Sequence, residues 1–294
     1  MTKTFSMFDR VVDIELVRPS GKVEKILCPR TGRKPFIEVS GELRANTIQN
    51  GLLKLTNYYP KTPLNFDSSD GVVYSWLRIR AGYASGLMTT LEGQSLMAYT
   101  DQPGPDGVSV ITFFTGPMTV WNKVPITNHW PTGTSINSVV SNLCKTLKEG
   151  TTLEINLKSY ISDSVVVKAP GLDVTGTALN LTEKLKDAYG IYVYPAGTDM
   201  IVCDQYEGTS EEYTLKYVTS IKKTGAGYTI IAPWVPAIRQ NDTVVIDAKF
   251  FTVENYGGIG ANFTNKFTVI SSVYTFATVG DTNTMTLLCV GKRA

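Results

Sequence analysis

The segment from residue 267 to residue 278, FTVISSVYTFAT, constrains the fold of this chain most, because both of its alternating sets of positions carry aromatic or β-branched side chains. Alternation with a period of two is typical of a β-strand with one buried face. A strand that is apolar on both faces needs cover on both sides. In a barrel one side faces the core, so the other must meet something outside its own domain. We therefore expect the surplus apolar face, centred on Val269 to Phe276, to be buried against a core or a neighbouring subunit.

Composition excludes several classes of function. The 294 residues include 43% hydrophobic and 18% charged side chains, which is typical of a folded protein with room for more than one domain. The formal net charge of +2 gives no field strong enough to attract nucleic acid or an anionic membrane. No segment reaches membrane-spanning length, and the charged residues Asp9, Arg10 and Asp13 predict that the chain has no signal peptide.

Residues that bind metals or cofactors are sparse. Cys28, Cys144, Cys203 and Cys289 are far apart, without the close spacings of zinc or redox sites, so we interpret them as buried thiols of a protein made in a reducing compartment. The single histidine excludes metal sites built from several histidines, and the glycine-rich stretches lack the setting of phosphate-binding loops. We expect no cofactor and no metal.

Alternating patterns predict a first β domain over residues 1–120 and a second over residues 213–294. The two blocks show no strong sequence repeat, but their similar size and their position on either side of a helical insert suggest a degenerate duplication. Strands of the first block are expected at 11–17, 23–27, 36–39, 51–56, 76–81 and 108–114.

Between the two β blocks the periodicity becomes helical, which predicts two small α/β domains over residues 121–170 and 171–212. One helix is expected between an N-cap at Thr134 and Gly150, and a second over residues 178–189, ended by a left-handed glycine. The fold class is therefore α+β and mainly β. Short strands are predicted in this insert at 153–157, 164–168, 191–194 and 200–204.

Catalytic signatures are weak. His129 lies in the sequence TNHWP at a domain junction without a nucleophile motif, which favours a hinge or packing role. Glu211 and Glu212 are neighbouring carboxylates of the kind that glycosidases use, but they lie in polar loop sequence, where solvated carboxylates are the default. The chain is therefore predicted not to be an enzyme.

Aromatic residues favour an interface, because exposed aromatic side chains are enriched where proteins meet. The candidates lie near turns and on the doubly apolar segment. They are Tyr58, Tyr59, Phe250, Phe251, Val269, Val273, Tyr274 and Phe276.

Six stretches in a fixed order carry a likeness to a known family. They are PFIEVSGELRANTIQNGLLKLTNYYP (35–60), LRIRAGY (77–83), TSINSVVSNLCKTL (134–147), GTALNLTEKLKDAYGIYVYPAGTDMIVCD (176–204), PAIRQNDTVVID (236–247) and FTVISSVYTF (267–276). Because these stretches occur together in this order, the chain resembles the baseplate hub proteins of contractile-tailed bacteriophages.

The resemblance implies two β-barrel domains of the tail-tube type that bracket the two small α/β domains. In such hubs three copies form a ring whose β domains present a pseudo-sixfold surface to the hexameric tail tube, with the spike below. The implied partners are further copies of the chain, the tail tube protein, the central spike protein and baseplate wedge proteins, with DNA as passing cargo. The implied location is the baseplate of the virion tail, after assembly in the host cytoplasm. Because no hydrolase segment follows Val290, unlike in larger hubs, we expect no lytic activity.

Two other functions stay open. A carbohydrate-binding β protein of a phage tail or cell surface would use residues such as Trp234 and Tyr256 to stack against sugars. A hydrolase of cell-wall glycans would use Glu211 and Glu212.

Overall fold

The structure, a computed structural model, describes residues 10–17, 23–27, 36–44, 50–56, 76–83, 87–101, 108–116, 118–149, 155–225, 227–235, 237–247, 265–278 and 283–291. β-strands dominate these ranges. The first block contains β1 (Arg10–Val17), β2 (Val23–Leu27), β3 (Phe36–Arg44), β4 (Asn50–Thr56), β5 (Trp76–Tyr83), β6 (Leu87–Asp101) and β7 (Val108–Thr115).

A helical insert and a second β block follow. The insert contains α1 (Met118–Lys123), β8 (Pro125–Trp130), α2 (Ile136–Glu149), β9 (Asn156–Ser159), β10 (Leu172–Thr177), α3 (Ala178–Tyr189), β11 (Ile191–Ala196) and β12 (Asp199–Asp204). The second block contains β13 (Glu212–Leu215), β14 (Ser220–Thr224), β15 (Gly227–Ala232), β16 (Thr243–Ile246), β17 (Lys266–Ala277) and β18 (Asn283–Gly291).

Both β blocks belong to one sheet. Among the described strands its order is β14-β15-β18-β17-β3-β4-β7-β6-β5-β1-β2, and β16 connects β17 to β13 at the side of this path. Strand β17 pairs with β3 through residues 271–277, so backbone hydrogen bonds join two blocks that are far apart in sequence. The insert contributes a β10–β8 pair and the sheet β11-β12-β9.

The hydrophobic core is likewise divided between the two β blocks and the insert. The larger cluster draws buried residues from both blocks, from Val12 in β1 to Cys289 in β18. A second cluster lies within the insert and runs from Trp121 to Val202, so the segments on either side of residue 170 share it. The domain boundaries at 120, 170 and 212 stay predictions. Within the described ranges, no helix has the length and apolar character needed to cross a membrane.

The two predicted helices are confirmed, but the expected N-cap of the first is wrong: α2 begins at Ile136, and the Thr134 hydroxyl donates to the Pro131 carbonyl at 2.7 Å rather than to the helix. Helix α2 buries the apolar face that helical spacing predicted. Helix α3 ends at Gly190, whose φ of 68° is left-handed and whose N–H donates to the Lys186 carbonyl at 2.9 Å. At its other end the Thr177 N–H donates to Asn180 Oδ1 at 2.8 Å.

Two further expectations about the insert are wrong. Residues 164–168 do not form a strand, because their backbone bonds the loop before α2: the Val167 N–H donates to the Thr134 carbonyl at 2.8 Å. His129 does not lie in a hinge but in strand β8, which pairs with β10. Its ring is exposed rather than packed, and its Nδ1 lies 2.5 Å from Asp173 Oδ1.

Candidate assembly interface

The two β blocks contain the same five-stranded unit. Unit one is the path β5-β6-β7-β4-β3, and unit two is the path β16-β17-β18-β15-β14. Every neighbouring pair along both paths is antiparallel. The duplication that the order of the blocks suggested is therefore visible in the strand pairing.

The registers of the two units also agree. In unit one the pairing of β6 with β7 shifts by one residue between Ser95 and Met97, and in unit two the pairing of β17 with β18 shifts between Val269 and Ser271. Each shift is a β-bulge. When the bulges are aligned through the pairing registers, buried residues coincide: Leu77 with Val244, Ile79 with Ile246, Ile111 with Leu287, Leu53 with Ile230, and Val39 with Ile221.

The bulge in β17 explains why residues 267–278 are apolar at both alternating sets. Before the bulge Phe267 and Val269 belong to the core, and after it Tyr274 and Phe276 do. One extra residue moves the core-facing role from odd to even positions. The expected burial of the face centred on Val269 to Phe276 is confirmed, against the core of the chain itself. The expected need for cover on the second face is corrected, because most of the apolar side chains lie on one face.

The structure separates the predicted interface residues. Val269, Tyr274 and Phe276 are buried in the core of the chain, so their side chains offer no free surface. Val273 lies on the opposite face, which we call the outer face, and is 48% exposed. The other four candidates, Tyr58, Tyr59, Phe250 and Phe251, lie outside the described residues.

Sequence reasoning missed two residues of the outer face. Leu288 and Val290 of β18 are 41% and 37% exposed, and Leu288 pairs with Ser271. The available signal was their alternation with Leu287 and Cys289, which are fully buried. On the other side of Val273 the outer face continues into a groove of about 580 Å³. Leu52, Thr112 and Phe114 are among its lining residues.

An aromatic cluster supports the β17–β3 junction from the core side. The Trp234 ring stacks on Tyr274 with centroids 5.5 Å apart, and it contacts Phe276 at 4.6 Å. The Tyr83 hydroxyl donates to the Trp234 carbonyl at 3.3 Å and accepts a hydrogen bond from Asn283 Nδ2. Burial raises the pKa of the Tyr274 phenol. The cluster therefore ties β5 of unit one to three segments of unit two.

Two glycines lie beside this junction. Gly41 of β3 lies opposite Tyr274 in β17 and opposite Gly51 in β4. The ring of Phe113 lies over Gly51, and a Cβ atom there would overlap the ring. A glycine covered by a neighbouring aromatic ring is a recognised device for fixing strand register.

The unpaired strand edges among the described strands include one in each of the two units. Strand β14 pairs with β15 alone. Strand β5 pairs with β6 from Leu87 to Gln94, whereas β6 continues to Asp101 and pairs there with β7 alone. Unpaired edges present rows of backbone donors and acceptors to a further strand. We call these the β14 edge and the β6 edge.

A second candidate site is a pocket of about 250 Å³ between the insert and unit two. Tyr160 and Tyr194 line it from the insert, and Tyr213 and Asp242 line it from the second block. At its rim Asp199 binds Lys158 at 2.7 Å and Arg239 at 3.4 Å. These ion pairs already use both cationic side chains, so the pocket offers little free positive charge to a ligand.

Asp242 is the most perturbed acid of this pocket. It is 2% exposed, and burial raises its pKa to about 6. One carboxylate oxygen accepts from the Thr209 hydroxyl at 2.5 Å and the other accepts from the Arg239 N–H at 2.6 Å. Both oxygens are thus engaged in fixing the turn before β16, which is a structural role.

The described residues of the two open alternatives do not assemble into a site. Trp234 is 5% exposed and so cannot stack on a sugar, and Tyr256 lies outside the described residues. Glu212 is exposed and pairs with Lys266 at 2.8 Å, while Glu211 lines the pocket beside Asp242. In the described ranges no three histidine, cysteine or acidic side chains are grouped so as to hold a metal ion.

No protein-family model and no curated protein sequence matches the chain. Solved structures do match its fold over nearly its whole length. The tail protein of Neisseria meningitidis matches with a TM-score of 0.60 at 6% identity, over 96% of each chain. The 43 kDa tail protein of prophage MuSo2 from Shewanella oneidensis matches with a TM-score of 0.58 at 7% identity, over 97% of each chain.

A third match comes from a secretion system. The E. coli c3393 protein, a component of the type VI secretion system with structural similarity to the T4 bacteriophage tail proteins gp27 and gp5, matches with a TM-score of 0.58 at 9% identity. The match covers 89% of this chain and 76% of that chain. The chain therefore has the fold of these tail proteins.

Proposed function

We propose that this protein is a structural subunit of a phage-tail-like particle, in which three copies form a hub that adapts a hexameric tail tube to the central spike. The observation that carries the proposal is the pair of units with one register, joined edge to edge by β17 and β3. Three chains with two units each present six similar units, which suits a sixfold partner.

The fold supports this role. Its structural neighbours in Neisseria and Shewanella are tail proteins that are matched along their whole length. The partners of the proposed hub are the tail tube protein, the spike protein and baseplate wedge proteins, and DNA passes through the ring as cargo. In the pocket that the structure describes, both oxygens of Asp242 and the cations Lys158 and Arg239 are bound within the chain, which supports a structural role for these residues.

Light scattering on the purified chain and electron microscopy of the particle test the proposal. We expect a closed ring of three copies in solution or on addition of the spike protein. In the particle we expect the ring on the tail axis, between tube and spike. A chain that stays monomeric at high concentration with the spike present, and that is absent from the tail axis, would contradict the proposal.

A further inference from the structure

The sheet β11-β12-β9 of the insert packs its two faces against different parts of the chain. Val193 and Val202 belong to the insert core, which also contains the buried residues of α2 and α3. Tyr194 and Ile201, which are paired with each other on the opposite face, form part of a separate buried cluster. The pocket of about 250 Å³ lies between this second face and the second β block, and we call it the insert pocket.

The insert pocket has the size of a side chain and is reached from solvent. Its volume of about 250 Å³ exceeds the roughly 30 Å³ of one water molecule and falls just below the roughly 300 Å³ at which pockets for drug-sized ligands begin. Tyr194 and Asp242 are its most buried lining residues, each 2% exposed. Tyr160 and Tyr213 are half-buried and Glu211 is exposed, so a small ligand can enter on their side.

The charges around the insert pocket do not balance. Asp199 binds Lys158 at 2.7 Å and Arg239 at 3.4 Å, so one carboxylate engages both cations. The hydrogen bonds that Asp242 accepts come from a hydroxyl and from the backbone N–H of Arg239, both uncharged donors. Within the described ranges the Glu211 carboxylate makes no ion pair. Two carboxylates of the pocket therefore lack a cation of their own.

This excess of negative charge acts on the buried end of the pocket. A buried carboxylate without a cation is costly to ionise, and burial accordingly raises the pKa of Asp242 to about 6. Burial, followed by the charges of Asp242 and Glu211, raises the pKa of the Tyr213 phenol to about 12. Both carboxylates thus act at the same ring, and a cation placed beside that ring would be attracted by both.

We propose that the insert pocket binds an alkylammonium group, the protonated amine at the end of a short aliphatic chain. The two carboxylates, Glu211 and Asp242, supply the missing counter-charge, and tyrosine rings add to the attraction where their faces meet the cation. The side chain of a lysine in a partner protein and a free polyamine both carry this group. The inference goes beyond the proposed hub, because the pocket lies within one chain and does not depend on the number of copies.

The same residues disfavour an anionic ligand. An anion would have to displace Asp199 from Lys158 and Arg239 before it could use their charges. It would also meet the carboxylates of Glu211 and Asp242 within the same small volume. The selectivity for positive charge is therefore the property to test.

A titration of the whole chain with three probes of similar size, followed by saturation-transfer NMR, tests this selectivity. n-Butylammonium is positive, 1-butanol is neutral and butyrate is negative. At constant ionic strength we expect n-butylammonium to bind with a Kd on the order of 1 mM, at least about tenfold tighter than 1-butanol, and butyrate not to bind in this range. Equal affinities for the three probes, or tighter binding of butyrate, would overturn the proposal.

Two neighbouring glutamates provide a matched pair of variants. Glu211→Gln removes a carboxylate of the insert pocket and should weaken the binding of n-butylammonium at least about fivefold, with no change for 1-butanol. Glu212→Gln removes a carboxylate that pairs with Lys266 at 2.8 Å and should change either affinity less than about twofold. Both glutamates are exposed, so the melting temperature should confirm that both variants fold. Unchanged binding of n-butylammonium by Glu211→Gln would contradict the proposed site.

Tyr160 separates the contribution of an aromatic ring from that of packing. Tyr160→Phe keeps the ring and should keep the affinity for n-butylammonium. Tyr160→Leu keeps an apolar side chain without the ring and should weaken that affinity about threefold, while 1-butanol binds as before. An equal loss for both probes would overturn the part of the proposal that assigns a cation contact to the rings.

Two further probes identify the source of the alkylammonium group. Binding of Nα-acetyl-lysine methylamide as tightly as n-butylammonium supports a lysine side chain of a partner protein, whereas putrescine that binds at least about fivefold tighter than both supports a free polyamine. If neither probe binds while the chain still assembles into rings, the inference fails and the proposed hub stands. A chain that binds n-butylammonium but never assembles supports the inference and contradicts the hub.

Discussion

Units one and two share a backbone frame but place their large side chains on different strands. At one position of the sheet unit one pairs Gly51 with Phe113, and at the equivalent position unit two pairs Tyr228 with Cys289. The ring of Phe113 lies over Gly51, whereas the ring of Tyr228 packs against Phe267 at 5.0 Å. One small and one large residue occupy each pair. At this pair the two units keep the same register while the large residue changes strand.

The units differ most at one edge. Strand β3 of unit one is enclosed by β17 and β4, and Gly41 in it faces Tyr274 across the junction. The equivalent strand of unit two, β14, carries the exposed residues Lys222 and Lys223. A strand edge that is paired within the chain can carry small, uncharged residues. An edge that stays unpaired in the isolated chain needs residues that disfavour pairing with other strands.

The largest loss of stability is expected when only one residue of the unit-two pair, Tyr228 with Cys289, is introduced into unit one. Gly51→Tyr alone should destabilise the chain by more than about 4 kcal/mol, because the new ring has no space beneath Phe113. Adding Phe113→Cys recreates the unit-two pair and should recover at least half of the loss, which urea unfolding can measure. Additive effects of the two substitutions would contradict the equivalence of the units.

Substitutions on the two faces of β17 should differ almost as strongly in their effect on the free energy of unfolding. Phe276→Ala removes a fully buried ring from the aromatic cluster and should cost about 3–5 kcal/mol in the free energy of unfolding. The matched control Val273→Ala, on the outer face of the same strand, should cost less than about 1 kcal/mol in the isolated chain. Equal costs would show that the bulge does not direct Phe276 into the core.

Asp242 gives unit two a dependence on pH. Burial raises the pKa of its carboxyl from 3.8 to about 6, so between these values the folded chain keeps a proton that the unfolded chain has lost. Stability should therefore fall as the pH rises through this window, by on the order of 2 kcal/mol between about pH 4 and pH 7. Urea unfolding across this range measures the slope for this group.

Two variants isolate the contribution of Asp242. Asp242→Asn removes the titrating group and should flatten the profile, even if the loss of one accepted hydrogen bond lowers stability overall. Asp187→Asn, at an exposed position of α3, should leave the profile unchanged. An unchanged slope in Asp242→Asn would assign the pH dependence to other groups.

The smallest effect is expected at the open edge. Lys222→Ser gives β14 the residue that unit one has at the equivalent position, Ser40, and should change the stability of the isolated chain by no more than about 0.5 kcal/mol. Thermal unfolding at low protein concentration measures this. A loss comparable to that of Phe276→Ala would mean that Lys222 has a role inside the chain rather than at its edge.

Local signals account for what the sequence predicted well. Helix α3 lies between a cap at Thr177 and a left-handed Gly190, and both signals act within one turn of the helix. Strands β1 and β5 alternate cleanly, with buried residues at every second position of most of their length. Strands β6, β8 and β10 were missed: β6 contains Gly93 and a bulge, and β8 pairs with a strand more than forty residues away.

The candidate interface also depends on pairing that a local sequence pattern does not predict. The sequence alone identified β17 as the strand that matters, because apolar residues occupy both of its alternating sets. Which of those residues face the core was decided only by the bulge after Val269, and a bulge is defined by pairing with β18.

The sequence by itself determined the strands with regular alternation, the capped helices and the mainly β class, because these depend on side chains within a few residues of each other. Only the tertiary structure decided that the two blocks share one register, that β17 joins β3, and that β14 and the end of β6 remain as open edges among the described strands. These features depend on backbone hydrogen bonds between segments as far apart as Glu38 and Ala277, and no local pattern encodes them.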